Sequence, residues 1–210
     1  GVSTVDCMND KSFYCEQAYS NSTFTQHNVV NASASTWTIT GDWYNDDTFN
    51  EGTFALNING IVNILGSSAA EFHDITITAD GCLVSPSGGL LSVSGNFINY
   101  GTFKNNAGTI YFNGTASQSV ATNASSFNNL FINNTGDAGS NSVIINGILD
   151  VNGAFTLQSG NLDLDTYDPV VYLGGDITVS AGTIVKSSSD AWVTFDGLSN
   201  SYNAIANINF

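Results

Sequence analysis

Two stretches decide the fold: TITGDWYNDDTF, residues 38–49, and SVSGNFINYGTF, residues 92–103. Laid over one another they agree in the order of small, Gly, aromatic, Asn and Thr-Phe positions, at an offset of about 54 residues. The agreement continues outward on both sides of the gap. GTFALN (52–57) matches GTIYFN (108–113), and FHDITI (72–77) matches FNNLFI (127–132). Three landmarks in one order at nearly constant spacing mark an internal repeat. A repeat written in strand language points to stacked units and favours structure and surface binding over catalysis.

From about Ser35 onward, pairs of apolar residues recur two apart, bounded by Gly, Asn and Asp: Leu56 and Ile58, Ile75 and Ile77, Ile110 and Phe112, Leu130 and Ile132, Val193 and Phe195. Period two puts each pair on one face of a strand and leaves the intervening polar residues on the other. A third, degenerate copy follows, in which residues 147–155 resemble 89–97 and residues 192–197 resemble 110–114. The closing residues 205–210 are another version of 127–132, so the chain ends on a predicted strand.

Short one-faced strands suit either a sandwich of hairpins or a solenoid of coils. In-order repetition favours the solenoid, because each coil must bury its apolar face on a like neighbour. The expectation is an all-β parallel β-helix, or β-solenoid, with the immunoglobulin-like sandwich as the alternative. Residues 1–30 share no repeat and read as a cap or docking segment, and residues 31–210 as a solenoid of about three repeats of about 54 residues. At roughly 20 to 25 residues a coil this gives about eight coils and a rod about 40 Å long. Asn at equivalent positions, Asn45 with Asn99 and Asn57 with Asn113, suggests side-chain ladders along the axis.

The charge narrows the function. The chain carries three Lys, no Arg and 18 acidic residues, a net charge of -15. Phosphate neutralisation needs clustered cations, so nucleic acid is not an expected partner, and anionic membrane surfaces are repelled. No apolar run is long enough to span a bilayer, and insertion into a membrane is not expected. With 42% hydrophobic and 11% aromatic residues the chain can still build a sizeable core. Gly1, which opens the sequence without Met or an apolar leader, reads as the start of a processed polypeptide.

Cys7 and Cys15 are spaced to close a small N-terminal loop as a disulfide, which would suit an oxidising, extracellular compartment. Cys82 reads as a buried small hydrophobe. Five Asn-x-Ser/Thr sites, at Asn21, Asn31, Asn113, Asn123 and Asn133, are glycosylation candidates, although a chain this rich in Asn, Ser and Thr yields as many by chance.

Catalytic constellations are sparse. Asp46-Asp47 is the best carboxylate dyad, but its context is a turn. His27 and His73 read as surface polar residues, and no G-x-S-x-G elbow is present. Asn161, Asp163 and Asp165 share a strand face with Asp168 on the turn beyond. Alone they are too spread for one ion, but a neighbouring coil would complete a calcium site around Asp163, Asp165 and Asp168. No other cofactor is expected. Trp43 and Phe49 read as core, whereas Tyr44, Tyr100 and Tyr111 have the parity of an outer face able to stack on sugars.

The order GNFINYGTFKNNAGTIYFNG (95–114), SFNNLFINNTG (126–136) and GILDVNGAFTLQSGNLDL (147–164) resembles the repeat unit of large secreted β-solenoid proteins of microbial cell surfaces, similar to adhesin and autotransporter-passenger stalks. The resemblance covers about residues 36–210 and implies an extracellular or cell-surface location. Members are typically much longer, with anchoring domains, so it implies here either a fragment or a small subunit that polymerises.

The expected function is therefore a non-enzymatic structural subunit that assembles head-to-tail with copies of itself through the last strand, Ile205, Ile208 and Phe210. A stalk fragment of an adhesin that binds glycans is the second expectation, and a polysaccharide-degrading enzyme the third.

Overall fold

The computed structural model describes residues 32, 34–46, 48–187 and 192–197 in full, and only the strand backbone of residues 5–6, 13–14, 19–20, 24–26, 30–31, 202–204 and 208–209. Among the described residues there is no helix, and parallel strands stack as a β-solenoid of about 7 turns. Within each sheet a strand pairs with those one turn before and one turn after it: Ile75 sits between Leu56 and Phe97, and Ile110 between Leu91 and Leu130.

Each turn is three-sided. The first face runs through Trp43–Asn45, Ile61–Leu65, Cys82–Val84 and Thr102–Lys104. After a turn in which only Phe127 bridges to Val151, it resumes as Ile148–Val151, Val170–Leu173 and Trp192–Phe195. The second face breaks once, between Phe49–Asn50 and Ala70–Phe72, and then continues to Tyr202–Ala204. The third face is continuous, a ten-stranded parallel sheet from Tyr19–Ser20 to Ile208–Asn209.

The period-two pattern explains the core. Strands such as Ala55–Ile58, Asp74–Ile77 and Thr109–Phe112 alternate half-buried and buried residues. On the third face the inward row Trp37, Leu56, Ile75, Phe97, Val120 and Ile145 is fully enclosed, one residue directly above the next. Parallel in-register stacking brings like residues together. Trp37, Trp43, Phe49, Phe54 and Phe72 pack as one aromatic cluster, with centroids 4.8 to 6.3 Å apart. Phe97, Phe103, Phe112 and Phe127 form a second.

These two clusters are what the sequence repeat writes twice, but the copies are turned relative to each other. Trp43 lies on the first face and its sequence equivalent Phe97 on the third; Phe49 lies on the second and Phe103 on the first. Ile75 and Ile77 are on the third face, Leu130 and Ile132 on the second. From Trp43 to Phe97 the chain makes two full turns and two further faces. The stacking period is instead about 19 to 25 residues, as in the pairings Thr38 with Asn57 and Ser119 with Ile144.

The Asn ladders expected from the repeat are absent for the same reason. Asn45 and Asn99 stand on different faces, and the strand neighbours of Asn57 are Thr38 and Thr76. Asn works at the corners instead. The side-chain oxygens of Asn99, Asn105 and Asn134 accept the backbone N–H two residues on, from Gly101, Ala107 and Gly136. This local turn competes with continued strand and bends the chain onto the next face. The amides then tie neighbouring turns together: Asn99 donates to the Thr122 carbonyl at 2.8 Å, Asn105 to the Ser126 carbonyl at 3.2 Å, and Asn134 to the Ala116 carbonyl at 2.7 Å.

Candidate functional site

The buried polar centre of the molecule is a bracket rather than a reactive site. Gln118 starts a strand of the third face and points inward, 1% exposed. Its amide donates to the carbonyls of Val93 and Gly95 at 2.9 and 2.6 Å, and its oxygen accepts from the Gly114 N–H and the Asn134 amide, both at 3.1 Å. Every capacity of the group is used on backbone and Asn, which holds corners of successive turns together.

Several acidic residues are clamps between or within turns. Asn161, Asp163 and Asp165 share the outward parity, as expected, with Leu162 and Leu164 buried between them. The Asp163 carboxylate, however, accepts the N–H groups of Asp165 and Thr166 and the Thr166 hydroxyl at 2.8 to 3.0 Å. Asp165 accepts the Ser187 N–H at 2.7 Å and its hydroxyl at 2.6 Å. Asp168 stands on the exposed turn beyond, in the left-handed conformation with φ 46°. Among the described residues no group of three or more His, Cys, Asp or Glu is placed to hold a metal ion.

Asp46 likewise accepts from the Ser67 N–H and hydroxyl at 2.9 and 3.0 Å, and Asp42 clamps Asn63 in the same way one turn on. Hydrogen bonding to the Asp46 carboxylate, and then its charge, hold the Tyr44 phenol above its usual range. His73 meets the Ser94 hydroxyl of the next turn at 3.0 Å, a pairing along the stack. Asp47 and His27 lie outside the described residues.

Two carboxyls are pushed above the usual carboxylate range: Glu71 by burial and then the Glu51 charge, Asp150 by burial and then the Asp196 charge. Glu71 lines a shallow hollow of about 330 Å³ with Asp46 and Phe49, at the break in the second face. A larger apolar groove of about 420 Å³ lies beside it between Leu65 and Leu90.

Of the glycosylation candidates, Asn123 is exposed on a left-handed turn, with its amide donating to the Gly101 carbonyl at 3.0 Å. Asn113 and Asn133 are half-buried, and the Asn133 amide is bonded to the Tyr111 hydroxyl. The side chains of Asn21 and Asn31 lie outside the described residues. So do Cys7, Cys15, Ile205, Phe210 and the side chain of Ile208, whose backbone pairs with Ile184. Cys82 is a free thiol, half-buried on the outer row between Ile61 and Thr102 rather than in the core.

Trp43 and Phe49 are core, at 1% and 6% exposure. Tyr44, Tyr100 and Tyr111 face outward, and Tyr100 is the most open at 65%. Phe195, expected to share an apolar face with Val193, is 54% exposed, and the outward aromatics not singled out from the sequence include two more, Phe131, stacked on Tyr111, and Trp192, 68% exposed. Parity gives both away, since Leu130 and Ile132 flank the first, and Val193 follows the second.

The fold is a parallel β-solenoid. No protein-family model matches the chain, and neither a curated protein nor a solved structure does. No helix among the described residues is long and apolar enough to cross a membrane.

Proposed function

We propose that the chain is a non-enzymatic structural element of an extracellular or cell-surface fibre, a β-solenoid that lengthens by axial stacking. The observation that supports this most is the continuous ten-stranded sheet of the third face, whose outermost strands are Tyr19–Ser20 and Ile208–Asn209. A strand at the end of a parallel stack presents a row of backbone donors and acceptors that another strand in the same register satisfies. Another copy of the chain supplies such a strand by a head-to-tail contact, and contacts of that type repeat into an open filament when the rotation does not close. Asn99, Asn105, Asn134, Gln118, Asp46, Asp163 and Asp165 support the same reading, because their side chains are engaged in turns and in ties between turns.

Negative-stain electron microscopy and sedimentation velocity of the untagged chain, with and without calcium, test this. Filaments that lengthen with concentration, with an axial repeat of about 45 to 50 Å for ten stacked strands, are the expected result. Dispersed short rods at every concentration overturn head-to-tail assembly. They would favour a second reading, in which the same stacking joins this segment to further coils within a longer adhesin-like stalk.

A further inference from the structure

The last described turns gather several exposed aromatic and apolar side chains. On the first face, Ile148, Val170 and Trp192 stand in register in one outward row, and Asp150, Tyr172 and Thr194 form the next. Tyr167 leads into the middle strand and is 54% exposed; Ile148 is 39% and Trp192 68% exposed. Asp196 follows directly, exposed, its N–H bonded to the Leu173 carbonyl at 3.2 Å. Elsewhere the outer rows are mainly Ser, Thr and Asn, with isolated exposed apolar side chains such as Ile61 at 68% and Tyr100 at 65%. Here an open indole, with a tyrosine diagonal to it, shares its outward rows with Asp150 and Thr194, and Asp196 follows the strand.

We propose that this surface binds a neutral polysaccharide, with the Trp192 indole stacking on the apolar face of one sugar ring, Thr194 beside it, and Asp150 and Asp196 bonding hydroxyls of neighbouring rings along the chain. An aromatic ring offers flat apolar area at little entropic cost, and a sugar ring presents C–H groups on its face and hydroxyls at its rim. Acceptors along this surface suit those hydroxyl donors. Charge selects among partners: at -15, with three Lys and no Arg, the chain repels acidic polysaccharide, nucleic acid and anionic lipid, and also a second copy of this face. This inference uses only the fold and stands whether or not the rods stack end to end.

Trp192 is its own reporter, because the other two tryptophans, Trp37 and Trp43, are 2% and 1% exposed. Acrylamide quenching of the intact chain is measured with laminarin, mannan or soluble starch as neutral probes and alginate as the acidic one. Affinity electrophoresis in gels containing the same polymers follows. Shielding of the exposed tryptophan by at least one neutral probe is expected. Trp192→Ala should weaken retardation by about tenfold or more, and Trp192→Tyr should retain most of it, with the thermal midpoint unchanged in both. The proposal fails if no neutral probe shields Trp192, if alginate alone does, or if Trp192→Ala is retarded like the parent. Shielding that grows with protein concentration in the absence of sugar would assign the surface to a second copy and also overturn it.

Discussion

Phe131 lies flat against Tyr111 one turn earlier, with centroids 4.7 Å apart and planes 27° from parallel. The two are register partners on the second face, and the Tyr111 hydroxyl accepts the Asn133 amide at 3.0 Å. In-register parallel strands favour this contact, since they set the two outward side chains about 4.8 Å apart. A double-mutant cycle of Tyr111→Ala and Phe131→Ala, read by urea unfolding, should give a coupling of about 0.5 to 1.5 kcal/mol. A coupling near zero would mean that the rings contribute only separately.

Gln118 should be worth more than an apolar residue of its size. Gln118→Leu leaves the Gly95 carbonyl and the Gly114 N–H without this partner in a dry corner, and takes one of two bonds from the Val93 carbonyl and from the Asn134 amide. At about 1 to 3 kcal/mol for each buried group left unpaired, a loss of several kcal/mol is expected. Val120→Ala, two residues along the same strand, should cost less, about 1 to 3 kcal/mol. The comparison of unfolding midpoints fails if Leu is tolerated.

Gly66 and Gly88 separate strain from crowding. Both have positive φ, +108° and +62°, but a Cβ on Gly66 would run into the Asn45 backbone of the preceding turn, whereas one on Gly88 meets nothing within 4 Å. Gly88→Ala should therefore cost only the backbone term, about 1 kcal/mol. Gly66→Ala should cost clearly more and loosen the corner it forms. Equal losses would refute the close approach.

Acid should stabilise the rod through Glu71 and Asp150. Both carboxyls sit above their ordinary range in the folded chain, so between the unfolded and folded pKa values the folded state binds more protons. Stability contributed by these groups is then fully present below the unfolded pKa and falls as pH rises through the folded one. Self-repulsion at -15 acts in the same direction. Glu71→Gln should raise the thermal midpoint at pH 7 and leave it unchanged near pH 3. A gain at both would show that charge is not the cause.

Which residues point inward was legible in the sequence because alternation along a strand is a local fact. The pairs Leu56 and Ile58, or Ile110 and Phe112, are buried as their spacing requires, and Trp43 and Phe49 are core. Which residues meet across turns was not legible. Similarity between Trp43 and Phe97 records the same strand, corner and ring, but is silent on the face they occupy, which depends on the summed lengths of all intervening corners. Asp163 shows the same limit: its parity was evident, but that its oxygens would be taken by Asp165 and Thr166 depends on turn geometry. Trp192 was hidden for a simpler reason, since hydrophobic character argues for the core until parity is weighed against it.

The rotation between repeat copies has a consequence for how such a chain can grow. Because one copy covers two turns and two faces, duplicating a single copy within a gene would swing everything downstream by a third of a revolution. Surface features such as the Trp192 strip would then aim in a new direction. Adding three copies restores the original aim. Length and orientation are thus coupled in inheritance: a lineage that must keep two distant surfaces on the same side can change its reach only in steps of three units, or by adjusting corner lengths one residue at a time.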